Sequence, residues 1–357
     1  MGATIGTNFR VTIFGQSHSQ MIGAVVDGLP AGTAISQRAI EIDMERRAPG
    51  GTLCSQRHEL DIVRVISGLK NDVTTGAPIC GLIENTDARA QDYDNIKAAR
   101  PGHADYTAYV KYGEYHDARG GGQFSGRMTA PLVFAGALAR QLLEQKGVYV
   151  GGHICAVGDV RGDMLDFVSV DASLLQTLNK ASFPVLDEQI GERFLRQIRQ
   201  AQKAKDSVGG VIECAAVGVP AGWGMPFFDS LESVLAHLLF SVPAVKGVEF
   251  GAKDIFAMHG SEANDALYYD GAVRTRTNHN GGINGGISNG MPIIVRAAFK
   301  PTPSIGIEQD TIELASNKNT KITIGGRHDP CIVLRAVPIV EACMCLALAD
   351  CMLEGGR

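Results

Sequence analysis

Apolar and polar positions alternate through residues 6–14 (Gly-Thr-Asn-Phe-Arg-Val-Thr-Ile-Phe), which predicts a strand, and 23–32 reads as a second strand stopped by Leu-Pro-Ala-Gly. Over 36–47 the period changes. Ile40 and Met44 fall one helical turn apart, predicting a helix that ends in Arg46 and Arg47 and stops at Pro49-Gly50-Gly51. Residues 57–85 read as strand, turn, strand, with the strands at 61–66 and 79–83 and the turn at 71–76. Thr129 can cap a helix with Pro131 in its first turn and Leu132, Ala135, Ala139, Leu142 and Leu143 on one face. Further strands are predicted over 148–157, 209–219 and 293–299, and a helix over 187–205 carries Ile190, Phe194, Leu195 and Ile198 on one side.

The most apolar run, 332–353, is broken by Arg335, Pro338, Glu341 and Asp350, so it reads as a short strand and then a buried helix from Pro338, not as a membrane span. The piece Val217-Gly-Val-Pro-Ala-Gly222 echoes Val26-Asp-Gly-Leu-Pro-Ala-Gly32, and each precedes a predicted helix. That echo predicts two related halves. No linker or change of composition separates them, so residues 1–357 are expected to form one domain.

Composition narrows the chemistry. A net charge of −5 argues against a nucleic-acid binder, which should carry a broad basic face, so an anionic ligand would need arginines gathered in one place. The eight cysteines lack CxxC spacing and the N-terminus lacks a secretory signal pattern, which predicts reduced thiols in the cytoplasm. Glycine, at 43 residues, clusters in polar loops, as expected of loops shaped around a small ligand.

One stretch concentrates these features. Arg100-Pro101-Gly102-His103-Ala104-Asp105 is followed by Arg119-Gly120-Gly121-Gly122-Gln123-Phe124-Ser125-Gly126-Arg127, so a histidine and three arginines surround three consecutive glycines ahead of a helix. Backbone N–H groups in such a loop can cradle an anion. The loop is neither a P-loop nor a dinucleotide fingerprint, because no GxxxxGK[ST] occurs and the third glycine of GxGxxG would fall on Ser125. His18 and His103 lie in Gly/Ser and Gly/Asp loops, where an imidazole can exchange protons near neutrality, whereas His58, His153 and His237 sit in periodic contexts and read as structural. No metal site is expected. His328-Asp329-x-Cys331 lacks the spacing of a zinc site, and Arg327 with Asp329 reads better as an ion pair or proton relay. For Arg46 and Arg47 a helix-terminal role stands beside a ligand role.

Taken in order, Gly15-Gln16-Ser17-His18, Arg46-Arg47 with Pro49-Gly50, Thr74-Thr75-Gly76-Ala77-Pro78-Ile79, Asn85-Thr86-Asp87, the two blocks of the glycine stretch, Ala244-Val-Lys-Gly-Val-Glu249, Asn278-His-Asn-Gly-Gly-Ile-Asn-Gly-Gly286, Lys300-Pro-Thr302 and Gly326-Arg-His-Asp-Pro-Cys331 resemble the chorismate synthase family from end to end. The resemblance implies an α/β fold of the α+β type, with a helical core layer between antiparallel sheets and internal pseudo-symmetry. It implies a lyase that converts 5-enolpyruvylshikimate 3-phosphate to chorismate and phosphate by 1,4-anti elimination, the last step of the shikimate pathway, with reduced FMN and no net redox change. NADPH is implied only if the chain reduces its own flavin. The implied state is a cytoplasmic homotetramer acting on a small anionic substrate, with neither nucleic acid nor membrane as partner.

By position, the resemblance implies that His18 protonates the departing phosphate, that His103 serves the N1 region of the flavin, and that Asp329 relays a proton with Ser17 and Ser125. It implies flavin contacts from Gln123, Phe124, Ser125, Pro243, Ala244, Gly285, Lys300, Pro301, Thr302, Pro303, Ser304 and Arg327. Substrate contacts are implied for Arg46, Arg47, Arg119, Arg127 and Arg335. The chain departs from the family pattern at Gln16, Ser19, Ala48, Leu53, Gln123, Phe124, Gly126, Met128 and Pro243, removing two cations and a carboxylate. Those losses open a second reading, a diverged paralogue that keeps flavin or anion binding with little or no activity.

Overall fold

The computed structural model describes residues 2–48, 61–86, 98–325 and 329–354. In its first half come the strands Arg10–Phe14 and Met21–Asp27, the helix Gln37–Arg47, the strands Val63–Ser67 and Ile79–Glu84, and the long helix Thr129–Glu144. The second half repeats this order: strands Tyr149–Val157 and Gly210–Val217, helix Leu231–Ser241, strands Val245–Phe250 and Ile293–Phe299, then the helix Val333–Glu354. Each half makes one antiparallel sheet in which its four strands lie in the order first, second, fourth, third. A two-residue strand, Thr4–Ile5 or Val160–Arg161, extends each sheet beside its first strand. The echoed Pro-Ala-Gly pieces follow the second strand in both halves, so the pseudo-symmetry that the echo predicted is carried by the topology.

The two long helices pack on each other between the sheets. Thr129–Glu144 is buried on every side through Leu143, as a helix in a central layer must be. Two glycines set its depth. A Cβ on Gly136 would lie 2.3 Å from that of Ala342 across the helix pair, and one on Gly81 would lie 2.3 Å from the Phe134 ring that rests on the first sheet. One contiguous core draws residues from both sheets and from these helices.

Most predicted elements are found, with three corrections. The C-terminal helix begins at Val333 and passes through Pro338, so there is no strand before it. The β-branched run Ile332-Val333 looked like a strand, but Val333 and Val337 are buried against Gly210 and Gly152 of the second sheet, and that packing overrides local propensity. Thr129 is the first helical residue rather than the cap; its hydroxyl donates to Gly126 O (2.6 Å), while Ser125 caps the short 3-10 turn Gly126–Met128 ahead of it. The turn at 71–76 holds a small hairpin, Leu69–Lys70 with Val73–Thr74, closed by Asn71 and Asp72, both at positive φ. The helices Asp105–Tyr112 and Ala172–Lys180 had no predicted counterpart. His58, Leu53, Asp87, the stop at Pro49-Gly50-Gly51, Arg327 and His328 lie outside the described residues.

Candidate active site

The triple glycine adopts positive φ throughout, at +60°, +86° and +55° for Gly120, Gly121 and Gly122, which side-chain-bearing residues rarely adopt. The turn separates the two loop histidines. A Cβ on Gly120 would lie 2.3 Å from His18 Cε1 and 2.7 Å from Ser17 Oγ, and one on Gly121 would lie 3.2 Å from His103 Nε2. Ser17 N–H donates to Gly122 O (3.1 Å), which pins the His18 loop to the turn.

His103 is held within its own tight turn. Its Nδ1 lies 2.6 Å from Asp105 Oδ1, and Arg100 forks onto the same carboxylate through Nε (2.7 Å) and Nη2 (2.8 Å). Burial alone would raise the Asp105 carboxyl, but hydrogen bonds from Arg100 and His103 outweigh it and hold the group far below the usual carboxylate range.

Arg47 and Arg127, both buried, share Asp61, which pairs with Nη1 of each. Their other nitrogens are tied to protein as well: Arg47 donates to Thr129 Oγ1 and Gly126 O, and Arg127 to Asn85 Oδ1 and Glu84 O. Burial lowers the Arg47 pKa to about 10, and the neighbouring Arg335 and Arg127 also depress it against the pull of Asp61. Asp61 shows the reverse balance: burial pushes it up, and Arg47 and Arg127 bring it below its ordinary value. Arg335 is anchored by Asp329 (2.8 Å) and by the carbonyl oxygen of Arg47 (3.2 Å).

These groups face one cavity of 490 Å³, a size that accepts a cofactor-like ligand. Of the expected site residues, Arg47, His103, Gln123, Phe124, Ser125, Arg127, Pro243 and Ala244 line it, as do Lys300, Thr302, Pro303, Ser304, Asp329 and Arg335. Six cations line its wall, Arg47, Arg100, Arg127, Arg335, Lys246 and Lys300, against three paired carboxylates, Asp61, Asp105 and Asp329. The described residues thus leave a local positive surplus in a chain of net charge −5. Burial, with Lys246 nearby, lowers the pKa of Lys300.

Other expected residues lie elsewhere. His18 and Ser17 stand behind Gly120 and do not line the cavity, and neither does Pro301. Arg46 turns away from Arg47 into the helical layer, where the buried Glu341 takes both of its terminal nitrogens. Arg119, half-exposed, forks onto Asp117, which its own loop supplies two residues away. Gly285 belongs to the small hairpin of Ile283–Asn284 and Ile287–Ser288, away from the cavity wall. Sequence reasoning passed over Asp61, Asp105 and Lys246. Asp105 was legible as an acid two residues from a loop histidine, but nothing local marks Asp61 as the partner of arginines 14 and 66 positions away.

A family model described as chorismate synthase matches residues 9–353. The chain belongs to the chorismate synthase family. It is 45% identical to the chorismate synthase of Methanocella arvoryzae over 99% of this chain and 95% of that protein. It is 42% identical to that of Dehalococcoides mccartyi strain BAV1 over 100% of this chain and 98% of that one. A crystal structure of a chorismate synthase shares the fold with a TM-score of 0.78 at 24% identity, covering 98% of this chain and 93% of that one. The activity is therefore that of a chorismate synthase, a lyase of aromatic amino-acid biosynthesis that forms chorismate and phosphate from 5-enolpyruvylshikimate 3-phosphate. None of these findings favours the inactive-paralogue reading.

Proposed function

We propose that the cavity binds reduced FMN together with the substrate, and that the chain's two loop histidines and Asp329 handle the protons of a 1,4-anti elimination. The observation that carries this reading is the positive surplus around a single cavity beside the glycine turn that parts His18 from His103. The substrate carries two carboxylates and a phosphate, which guanidinium and ammonium groups recognise.

The residues present fit a flavin. Thr302 lines the cavity with its Oγ1 buried and without a hydrogen-bond partner among the described residues, and Phe124, Pro243 and Ala244 give the wall apolar surface for a flat ring system. Gln123, Phe124, Ser125, Pro243, Ala244 and the segment from Lys300 to Ser304 would hold it, with Arg327 as a further contact from the family resemblance. Bound reduced flavin supplies transient electron density that assists C–O cleavage without net redox change.

The protein does the rest. Arg47, Arg127 and Arg335 offer a preorganised positive field, because each is anchored by hydrogen bonds before any ligand arrives. The family resemblance gives His18, from its place behind Gly120, the proton for the departing phosphate, which converts a poor leaving group into a better one. His103 keeps a proton at the cofactor's N1 edge, and Asp329 with Ser17 and Ser125 carries away the proton lost from C6.

Three further features belong to the proposal. Residues 1–357 act as one domain; the shared core of the two halves supports this. The chain works in the cytoplasm as a homotetramer; the exposed Phe227, Phe228 and Phe256 offer apolar surface for self-association. NADPH serves only if the chain reduces its own flavin. An anaerobic assay with chemically reduced FMN and 5-enolpyruvylshikimate 3-phosphate tests the reading: phosphate release that depends on flavin is expected, and no release from folded protein at saturating flavin overturns it.

A further inference from the structure

Which nitrogen His103 turns toward the cavity follows from its surroundings. Two polar groups approach Nδ1: Asp105 Oδ1 at 2.6 Å and Arg100 Nη2 at 3.1 Å. An ionised carboxylate can only accept and a guanidinium can only donate, so the two ask for opposite states of that nitrogen. A lone pair on Nδ1 would set two acceptors 2.6 Å apart, a repulsive arrangement, so the closer group decides and Nδ1 carries the hydrogen. Arg100 Nη2 instead donates to Asp105 Oδ1 (2.8 Å), while its Nε and backbone N–H donate to Oδ2 (2.7 and 3.0 Å). The carboxylate is thus saturated by donors and fixed in orientation. The remaining nitrogen, Nε2, packs beside Gly121, where a Cβ would lie 3.2 Å from it. No hydrogen bond to Nε2 is made among the described residues, and His103 lines the cavity while Asp105 does not.

We propose that Asp105 is a positioning residue that locks His103 in its Nδ1–H tautomer, so that Nε2 is the atom presented to the cavity, an acceptor in the neutral ring and a donor in the protonated one. The carboxylate works as acceptor-only group and orienter, as in other sites where the partner on one ring nitrogen sets the chemistry of the other. This rests on the reading that gives His103 a role toward the bound cofactor. Its geometry concerns the free protein alone.

Asp105→Asn keeps size and shape and inverts the outcome. An amide oxygen at the Oδ1 position would leave NH2 facing two Arg100 donors, whereas oxygen at Oδ2 leaves only one such conflict and turns the NH2 toward His103 Nδ1. Nδ1 then becomes an acceptor and the ring takes the Nε2–H form. Asp105→Ala reaches the same end by leaving Arg100 Nη2 as the only neighbour of Nδ1. Nitrogen-15 NMR of histidine-labelled protein without flavin, assigned with His103→Gln, reads the tautomer directly. The expected result is Nδ1–H in the wild type and Nε2–H in Asp105→Asn, with kcat lowered about 10–100-fold and the substrate KM little changed. A wild-type Nε2–H signal, or an Asp105→Asn spectrum still showing Nδ1–H, overturns the proposal. If His103→Gln turns over normally, the cofactor role of His103 fails while the tautomer result stands or falls by its own spectrum.

Discussion

Arg46 and Glu341 form a two-point ion pair in the middle of the helical layer, with Nη1 2.6 Å from Oε2 and Nη2 2.9 Å from Oε1. Arg140 donates to the same Glu341 (2.8 Å) and to Asp43 (3.0 Å), and Gly152 N–H completes the shell (2.9 Å). Three helices and the second sheet therefore meet on one buried carboxylate. Removing it leaves two buried guanidinium groups short of charge. Glu341→Ala is expected to cost about 3–5 kcal/mol of folding stability, read from denaturant midpoints. A loss within experimental error would show that the network contributes nothing net.

The same group carries a pH signature. Burial would raise the Glu341 carboxyl, but Arg46 and Arg140 hold it below its ordinary value. A depressed folded-state pKa contributes stability above the unfolded value of about 4.3 and loses it as pH falls through the folded value. Asp61, also depressed, acts in the same direction. Wild-type stability should therefore fall on acidification below about pH 4, and Asp61→Asn and Glu341→Gln should each flatten that slope. Equal acid slopes in all three proteins would contradict the assignment.

At the glycine turn, Gly120→Ala is expected to abolish turnover and to lower stability by about 1–3 kcal/mol. Its Cβ would enter the His18 ring space at 2.3 Å while the backbone holds φ at +60°. Gly260→Ala, where nothing lies within 4 Å, is the control and should leave both quantities unchanged. Phosphate release and thermal melts on the three proteins decide it.

His18→Ala and His103→Ala should both lose turnover, by about 10²–10⁴-fold for a general acid–base role. Flavin binding should survive in His18→Ala, since His18 stands behind Gly120 and does not line the cavity. Flavin titration by fluorescence alongside the anaerobic assay separates the two. Wild-type rates in both variants would remove the proton-transfer roles.

Much of this molecule can be read from local sequence, because strand alternation, helix spacing and glycine runs are short-range signals. The strands at 10–14 and 293–299, the helix at 37–47 and the positive-φ glycine turn all follow from neighbours within a few residues. The echo of Pro-Ala-Gly after Val26 and Val217 even announced the duplicated topology, since both copies end the same strand of their half. What sequence could not decide was direction and partnership. Arg46 and Arg47 are adjacent and chemically alike, but about 100° of helical rotation sends one to Glu341 in the core and the other to the cavity. Arg47 and Arg127 share Asp61, and Val333, in the first turn of its helix, packs on Gly210 of the second sheet. Charge pairing across the chain and burial in a shared layer depend on distance in space, so the tertiary structure alone determined which arginines face the cavity and which pair within the helical layer.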